Sequence, residues 1–109
     1  MSLSAKSCIP CRGGVPALQG TEMEQLAAQV PGWQVVDGHH LLRVYTFPDF
    51  AAALAFVNRI GALAEAQGHH PGLLLSWGRV EVKIWTHKID GLTESDFILA
   101  AKITELHQS

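Results

Sequence analysis

The sequence contains two pairs of adjacent histidines, His39-His40 in GHHL and His69-His70 in GHHP. Because imidazole titrates near neutral pH, a histidine can donate or accept a proton during catalysis. The second pair follows a predicted helix end and precedes Pro71, which favours extended backbone in the residue before it. Successive extended residues project in opposite directions, so the two imidazoles are expected to diverge from one rigid corner.

Three more ionisable residues are expected near this corner. Glu65 lies one turn before His69 on the same predicted helix. His87 ends a predicted strand that pairs with residues 73–77, and Asp96 lies in the first turn of the last predicted helix. A neighbouring carboxylate raises the pKa of an imidazole and a neighbouring imidazolium lowers it, so such a cluster can hold pKa values that suit acid–base catalysis.

The sequence around this cluster favours proton transfer over covalent catalysis. No serine or cysteine accompanies the histidines in a nucleophile motif, and no phosphate-binding glycine loop is present. On the residues alone, a structural role for these histidines is the alternative, since perturbed ionisable clusters also occur outside active sites. The first pair, His39-His40, follows the strong hairpin signal Asp37-Gly38. Turn histidines are usually solvated, so this pair is expected to lie outside the site.

The composition describes one ordinary domain. The 109 residues are 48% hydrophobic and 17% charged, with a formal net charge of −2, so one core is expected and no basic patch indicates nucleic-acid binding. No apolar stretch approaches the roughly 18–20 residues that span a bilayer. The first residues lack the apolar region of a signal peptide, which makes the cytoplasm the expected location.

The two cysteines, Cys8 and Cys11, have C-x-x-C spacing. Such a pair can supply half of a zinc site or act as a redox couple. A second C-x-x-C is missing, and the pair lies in a Ser/Pro/Gly-rich segment rather than between a strand and a helix. We therefore expect reduced thiols in a loosely docked segment, with metal binding completed by histidines or another subunit as the alternative.

The pattern of elements predicts an α+β fold with an irregular segment over residues 1–20 and a domain over residues 21–109. The predicted order is α-β-β-α-β-β-α, in a single four-stranded antiparallel sheet with three helices on one face. The elements are a helix capped by Thr21 and Glu24 and ended by Pro31-Gly32, the strands WQVV and LLRVYTF, a helix from Pro48 to Gly68, the strands LLLSW and VEVKIWTH, and a helix from the Thr93 and Asp96 cap to about Leu106.

The long central helix is apolar on two sides. One predicted face contains Phe50, Leu54, Val57, Ile60, Gly61 and Ala64, and the other contains Ala52, Ala55, Phe56 and Leu63. A domain of this size can cover one face, so the other suggests a contact between subunits in a homodimer or homotetramer, with a fully buried helix as the alternative.

The spacing of the site residues resembles that of the pterin-4a-carbinolamine dehydratase family. Glu65 is followed after three residues by His69-His70-Pro71, then after five by Trp77, after nine by His87 and after eight by Asp96. The resemblance covers about residues 21–106, and EAQGHHPG and WGRVEVKIWTHKIDGLTESDF resemble bacterial members in particular.

This resemblance implies dehydration of a 4a-hydroxytetrahydropterin, such as 4a-hydroxytetrahydrobiopterin, to quinonoid dihydropterin and water. The step recycles the pterin after aromatic amino acid hydroxylation, and neither a metal nor another cofactor is required. By the same resemblance His69 and His87 would be the acid–base groups and His70 would mainly hold the pterin. Glu65 and Asp96 would orient or tune the histidines.

Two neighbours of His87 would complete the implied site. Thr86 would contribute backbone contacts to the pterin edge, and Trp85 would stack on the pterin or instead shield the open sheet face. The chain departs from some relatives at Gly68, where they carry Asp, and at Leu73, where some animal members carry Trp.

Other roles are compatible with the same resemblance. Animal members of the family also act as dimerisation partners of a transcription factor, so a non-catalytic pterin-binding or protein-interaction module is the main alternative. A role in molybdopterin metabolism is another.

Overall fold

A computed structural model describes residues 3–6 and 17–108 of the chain. Its helices are α1 (Gly20–Ala27), α2 (Phe50–Gln67) and α3 (Glu94–Gln108), and its strands are β1 (Gln34–Val36), β2 (His40–Thr46), β3 (Gly72–Ser76) and β4 (Arg79–Ile84). Short 3-10 turns cover Leu3–Ala5 and His87–Ile89. All strand pairs are antiparallel in the order β1-β2-β4-β3, which confirms the predicted fold class and element order. Cys8 and Cys11 lie outside the described residues.

The first hairpin has the turn that its sequence predicts. Asp37 and Gly38 both have positive φ, 53° and 62°, as a type I′ turn requires. The His39 N–H donates to the Val36 carbonyl at 2.9 Å and closes the turn. His39 and His40 therefore lie where β2 begins.

The second hairpin depends on Gly78, between β3 and β4. Gly78 has a φ of +67°, and a Cβ at this position would lie 2.8 Å from the Phe47 carbonyl oxygen. The approach is close because the Phe47 N–H donates to the Gly78 carbonyl at 2.8 Å. This contact holds the β3–β4 turn against the end of β2.

Replacing Gly78 by alanine is expected to destabilise the protein by about 2–4 kcal/mol, since it adds a steric clash to the cost of a left-handed backbone. Gly38→Ala is the matched control, because Gly38 also has positive φ but a Cβ there would meet nothing within 4 Å. Its expected cost is about 1 kcal/mol. Chemical denaturation of both variants measures the difference, and equal losses would show that the Phe47 contact is unimportant.

The core lies between the sheet and the helices. Along β4 the buried residues alternate with partly exposed ones, as the sequence predicts for a sheet covered on one face. Val80, Val82 and Ile84 are all fully buried. From α3, Phe97, Ile98 and Ile103 join the same cluster.

Helix α2 buries a single stripe against this core. Its buried residues are Ala53, Phe56, Ile60 and Ala64, at the spacing of one helical face. The predicted division into two faces is therefore wrong in detail, since Phe56 is buried while Phe50 and Leu54 are 44% and 39% exposed. The buried stripe consists of the α2 residues that pack against β3, β4 and α3. Their apolar character alone does not distinguish them from the apolar residues of α2 that stay exposed.

Two predicted helix starts are also wrong. Thr21 lies inside α1, which begins at Gly20 after Gln19 and has no side-chain cap. The helix begins early because the chain before it is tied down by the Leu18 N–H, which donates to the Leu92 carbonyl at 2.8 Å. Pro48, predicted in the first turn of α2, lies before the helix, because the Asp49 carboxylate caps it by accepting from the Ala52 N–H at 2.8 Å.

Candidate active site

The histidine corner is formed by the end of α2. Gly68 has left-handed backbone, with φ 65° and ψ 24°, and its N–H donates to the Ala64 carbonyl, which is the predicted glycine stop of the helix. The His69 N–H donates to the same carbonyl at 3.3 Å. The chain thus leaves the helix abruptly and carries His69 and His70 into the short connection before β3.

A buried carboxylate holds the His69 ring. His69 Nε2 lies 2.6 Å from Asp96 Oδ1, and the Asp96 side chain is fully buried while that of His69 is 14% exposed. Asp96 Oδ2 accepts from the Thr86 hydroxyl and from the Thr93 N–H, each at 2.8 Å. The bond from Thr93 is the helix cap that the sequence predicts for these two residues. Asp96 therefore joins the corner, the end of β4 and the start of α3.

This carboxylate sets the tautomer of His69. An ionised carboxylate only accepts hydrogen bonds, so Nε2 of His69 carries a proton in the contact with Asp96. In the neutral ring, Nδ1 is then the basic nitrogen. A histidine fixed by a buried aspartate in this way is oriented to exchange one proton through one defined atom.

His70 has a more exposed carboxylate partner. Its Nε2 lies 2.6 Å from Glu65 Oε2, and the two side chains are 61% and 78% exposed. Exposed pairs of this kind contribute little to stability, about 0–1 kcal/mol. Their effect is to orient the His70 ring across the end of α2.

His87 is held by an aromatic contact. It begins the 3-10 turn after β4, and its ring stacks on the Trp85 indole with centroids 4.3 Å apart and planes at 26°. Among the described residues, no hydrogen-bond partner is found for either ring nitrogen of His87. His87 is therefore held by ring stacking, whereas His69 and His70 are each held by a carboxylate.

These side chains line one open cleft of about 340 Å³. Its lining consists of Gly68, His69, His70, Trp85, Thr86, His87 and Lys88. The structure therefore brings together all three histidines of the predicted site, with Glu65 and Asp96 bonded to two of them. The sequence analysis did not identify Lys88 as a residue of the cleft, and its position directly after His87 is the only sequence signal that could have indicated this.

Thr86 supports the cleft in a way that the sequence does not reveal. Its hydroxyl donates a hydrogen bond to the Asp96 carboxylate. Its N–H donates to the Gly91 carbonyl at 2.8 Å, and its carbonyl accepts from the Gly91 N–H at 3.4 Å and from the Ile89 N–H at 3.3 Å. The N–H and both lone pairs of the carbonyl oxygen are therefore already engaged within the loop, so a backbone contact from Thr86 to a ligand requires one of these hydrogen bonds to be exchanged.

The first histidine pair does not line the cleft but lies next to it. His39 and His40 are half-buried rather than solvated as predicted. The pair is covered because the His39 and His40 rings lie 5.6 and 6.2 Å from the Trp85 indole. Burial, followed by the charges of Lys83 and His39, lowers the pKa of His40 from its ordinary value of 6.5, while Asp37 acts in the opposite direction.

The lowered pKa of His40 predicts a pH dependence of stability. Between pH 6.5 and the lower folded-state pKa, His40 is protonated in the unfolded chain but neutral in the folded chain. The stability that the neutral His40 gives the folded state is therefore lost as the pH falls through this range to the folded-state pKa. Denaturation of the wild type and of His40→Gln at pH about 7.5 and about 5 should show a smaller acid loss in the variant. An equal loss in both proteins would contradict this.

Two further geometrical findings concern metals and membranes. In the described ranges, no three His, Cys, Asp or Glu side chains are grouped so that they could hold a metal ion. No helix in this part of the chain is both long and apolar enough to cross a membrane.

The fold and the cleft define a small α+β domain with a histidine-lined site suited to proton transfer. The model of the family described as pterin 4 alpha carbinolamine dehydratase matches residues 16–106 of the chain. The chain belongs to this family, as its residue spacing predicts.

Close relatives extend over nearly the whole chain. A protein of Rubrobacter xylanophilus is 60% identical over 104 residues, which cover 95% of this chain and 97% of the relative. A protein of Rickettsia bellii is 57% identical over 103 residues, which cover 94% and 91%. Both carry the name pterin-4-alpha-carbinolamine dehydratase as a provisional assignment.

Two solved structures share the fold. The crystal structure of a transcriptional coactivator/pterin dehydratase from Brucella melitensis superposes with a TM-score of 0.77 at 34% identity, covering 83% of this chain and 97% of that one. A pterin dehydratase-like protein identified as a RuBisCO assembly factor in the alpha-carboxysome gives a TM-score of 0.59 at 23% identity, covering 71% and 88%. The second likeness concerns the fold alone.

Proposed function

We propose that this protein is a hydro-lyase that converts a 4a-hydroxytetrahydropterin into quinonoid dihydropterin and water. The observation that carries the proposal is that three imidazoles line one cleft and that a buried aspartate fixes one of them. Membership of the dehydratase family supports the substrate class. The pterin is the substrate in this proposal, and no further cofactor takes part.

The reaction needs two proton transfers. Hydroxide is a poor leaving group at neutral pH, so an imidazolium donates a proton to the 4a-hydroxyl as the C4a–O bond breaks and water leaves. A neutral imidazole removes the proton from N5, and the N5–H electron pair forms the C4a=N5 double bond. Atoms and charge balance, with one proton delivered and one taken up by the enzyme. In our proposal His69 and His87 are these two groups.

The contacts that hold His69 and His87 are consistent with two proton-transfer groups. Asp96 holds His69 with Nε2 protonated, which leaves Nδ1 to exchange a proton with the substrate. His87 lines the same cleft and is held by its stack on the Trp85 indole. His87 covers one face of this indole. We therefore propose that the pterin contacts Trp85 at the edge of the indole, or contacts it only indirectly through the His87 ring.

His70 and Glu65 are proposed to bind rather than to catalyse. His70→Ala is expected to raise KM for the pterin about tenfold with little change in kcat, since it removes binding common to substrate and transition state. Steady-state kinetics on the hydroxypterin measure both constants. Glu65→Ala is the companion variant and should raise KM less, because it frees the His70 ring without removing it. A large fall in kcat for His70→Ala would instead place His70 in the proton transfer.

The test of the proposal is a dehydratase assay on the purified protein. The 4a-hydroxytetrahydropterin is generated in the cuvette, and the rise of quinonoid dihydropterin is followed with and without the protein. A rate above that of the uncatalysed dehydration is expected. Binding of a pterin without any acceleration would favour the alternative, a non-catalytic pterin-binding or regulatory module.

We propose, further, that the protein forms a homodimer or homotetramer in the cytoplasm. Phe50 and Leu54 on α2, and Val44 and Leu74 on the open sheet face, are exposed apolar side chains that support self-association. Sedimentation velocity gives the oligomeric state, and a monomer at micromolar concentration would contradict this part of the proposal.

A further inference from the structure

The segment that carries His87 is a closed loop at the end of β4. Thr86 and Gly91 form an isolated antiparallel bridge, and the residues between them make the tip. The Asp90 N–H donates to the His87 carbonyl at 3.2 Å, and Asp90 has a left-handed backbone with φ 51°. The loop is thus closed at its base, but this bridge does not fix the direction of its tip.

The first histidine pair contacts this tip from the β1–β2 hairpin. His39 Nε2 lies 2.6 Å from Asp90 Oδ1, across 51 residues of sequence. Asp90 is 86% exposed and the His39 side chain 33% exposed, so the contact contributes little to overall stability. Its effect is local, because it joins the hairpin to the residue three positions after His87.

A second set of contacts reaches His87 through Trp85. The His39 ring lies 5.6 Å from the indole and the His40 ring 6.2 Å from it. The indole in turn stacks on His87 at 4.3 Å. Aromatic rings at such distances attract each other and restrict each other's rotation. The histidine pair therefore constrains His87 in two ways, through the hydrogen bond to Asp90 and through the ring contacts with Trp85.

His40 completes the arrangement by fixing the His39 ring. The two Nδ1 atoms lie 3.1 Å apart. If His39 Nε2–H donates to Asp90, the neutral His39 ring can only accept at Nδ1, so His40 donates there. This chain of hydrogen bonds prevents the His39 ring from turning over and losing Asp90.

We infer that His39, held by His40, is a positioning residue for His87. It acts from outside the cleft by tethering the loop through Asp90 and by bracing the Trp85 indole on which His87 stacks. The consequence for catalysis rests on the proposed function, whereas the consequence for the position of His87 does not.

The experiment combines a spectroscopic readout with kinetics. The ring protons of His87 lie over the indole, so their NMR shifts carry a ring current that depends on the stack. In His39→Ala and in Asp90→Ala these resonances should move towards those of an unstacked histidine. Asp90→Asn, which suits left-handed backbone and still offers an oxygen to His39, should retain most of the wild-type shift. His107→Ala is the matched control and should leave them unchanged, because the ring of this α3 histidine packs against Tyr45, Phe47 and Phe56 and not against Trp85.

The kinetic readout separates positioning from binding. His39→Ala should lower kcat about tenfold with KM changed less than about twofold, because a small displacement of an acid–base group affects the transition state more than the bound substrate. His39→Ala/Asp90→Ala should be no slower than His39→Ala, since both changes remove the same tether.

The outcomes distinguish the two proposals. Unchanged His87 resonances in His39→Ala overturn the positioning inference, whether or not the protein is a dehydratase. Shifted His87 resonances in His39→Ala, combined with a wild-type protein that lacks dehydratase activity, keep the inference and overturn the proposed function. Shifted resonances with unaltered kcat in an active enzyme overturn the catalytic consequence.

Discussion

Replacing His69 and His87 together should reduce kcat by about 10³–10⁴-fold, since a positioned acid–base group contributes about 10²–10⁴-fold. In the proposed mechanism, loss of both groups leaves neither a donor for the departing hydroxyl nor a base for N5. The two single variants should each lose nearly as much as the double variant, because groups that act as a unit are not additive. Initial rates of dehydration after subtraction of the uncatalysed reaction measure the effect.

The choice of replacement keeps this test separate from unfolding. His69→Ala removes a donor from the buried Asp96, which costs about 1–3 kcal/mol of stability. His69→Gln offers an amide N–H to the same carboxylate but cannot carry a proton between groups at neutral pH. His69→Gln/His87→Gln should therefore fold like the wild type, as judged by circular dichroism and thermal unfolding, and be inactive. Activity that persists in this folded double variant would refute the roles of both histidines.

Asp96→Asn is expected to lower kcat by about 10²–10⁴-fold while the fold is kept, through a reversal of the His69 tautomer. The Asn oxygen can accept from Thr86 and Thr93 as the carboxylate does, and its amide group then faces His69. An amide donates, so His69 must accept at Nε2 and carry its proton at Nδ1. In the proposed mechanism, Nδ1 is the nitrogen that exchanges a proton with the substrate, and in this variant the neutral ring can no longer accept a proton there.

Asp96→Ala separates this effect from structure. It leaves the Thr86 hydroxyl, the Thr93 N–H and the His69 ring without their acceptor in a fully buried position. We expect a loss of about 3–5 kcal/mol in the free energy of unfolding, against less than about 1.5 kcal/mol for Asp96→Asn. Denaturant titration of both variants gives the comparison. Wild-type kcat in Asp96→Asn would show that the tautomer of His69 does not matter.

Many features of this protein follow from short stretches of sequence. The Asp37-Gly38 turn, the Gly68 helix stop and the alternation along β4 each depend on neighbouring residues, and each is observed as predicted. The spacing from Glu65 to Asp96 also sufficed to identify the family. These predictions succeed because backbone preferences and side-chain periodicity are local properties of the chain.

Other local predictions were wrong where tertiary contacts compete with them. The capping box at Thr21 has a suitable sequence, but the hydrogen bond between Leu18 and Leu92 begins α1 earlier. His39 and His40 were predicted to be solvated, but both lie against Trp85 and His39 is hydrogen-bonded to Asp90. In both places a partner distant in sequence outweighs a preference of a few tenths of a kcal/mol to about 1 kcal/mol.

The sequence alone therefore determined the order of elements, the two hairpins and the residue types of the cluster of histidines and carboxylates. Only the tertiary structure decided how those residues are connected. The strand order places β4 between β2 and β3, which brings the end of β4 beside both the His69 corner and the His39 turn. The pairing of His69 with Asp96 and of His39 with Asp90 spans 27 and 51 residues. Such contacts depend on how the whole sheet and its helices pack, which no short pattern specifies.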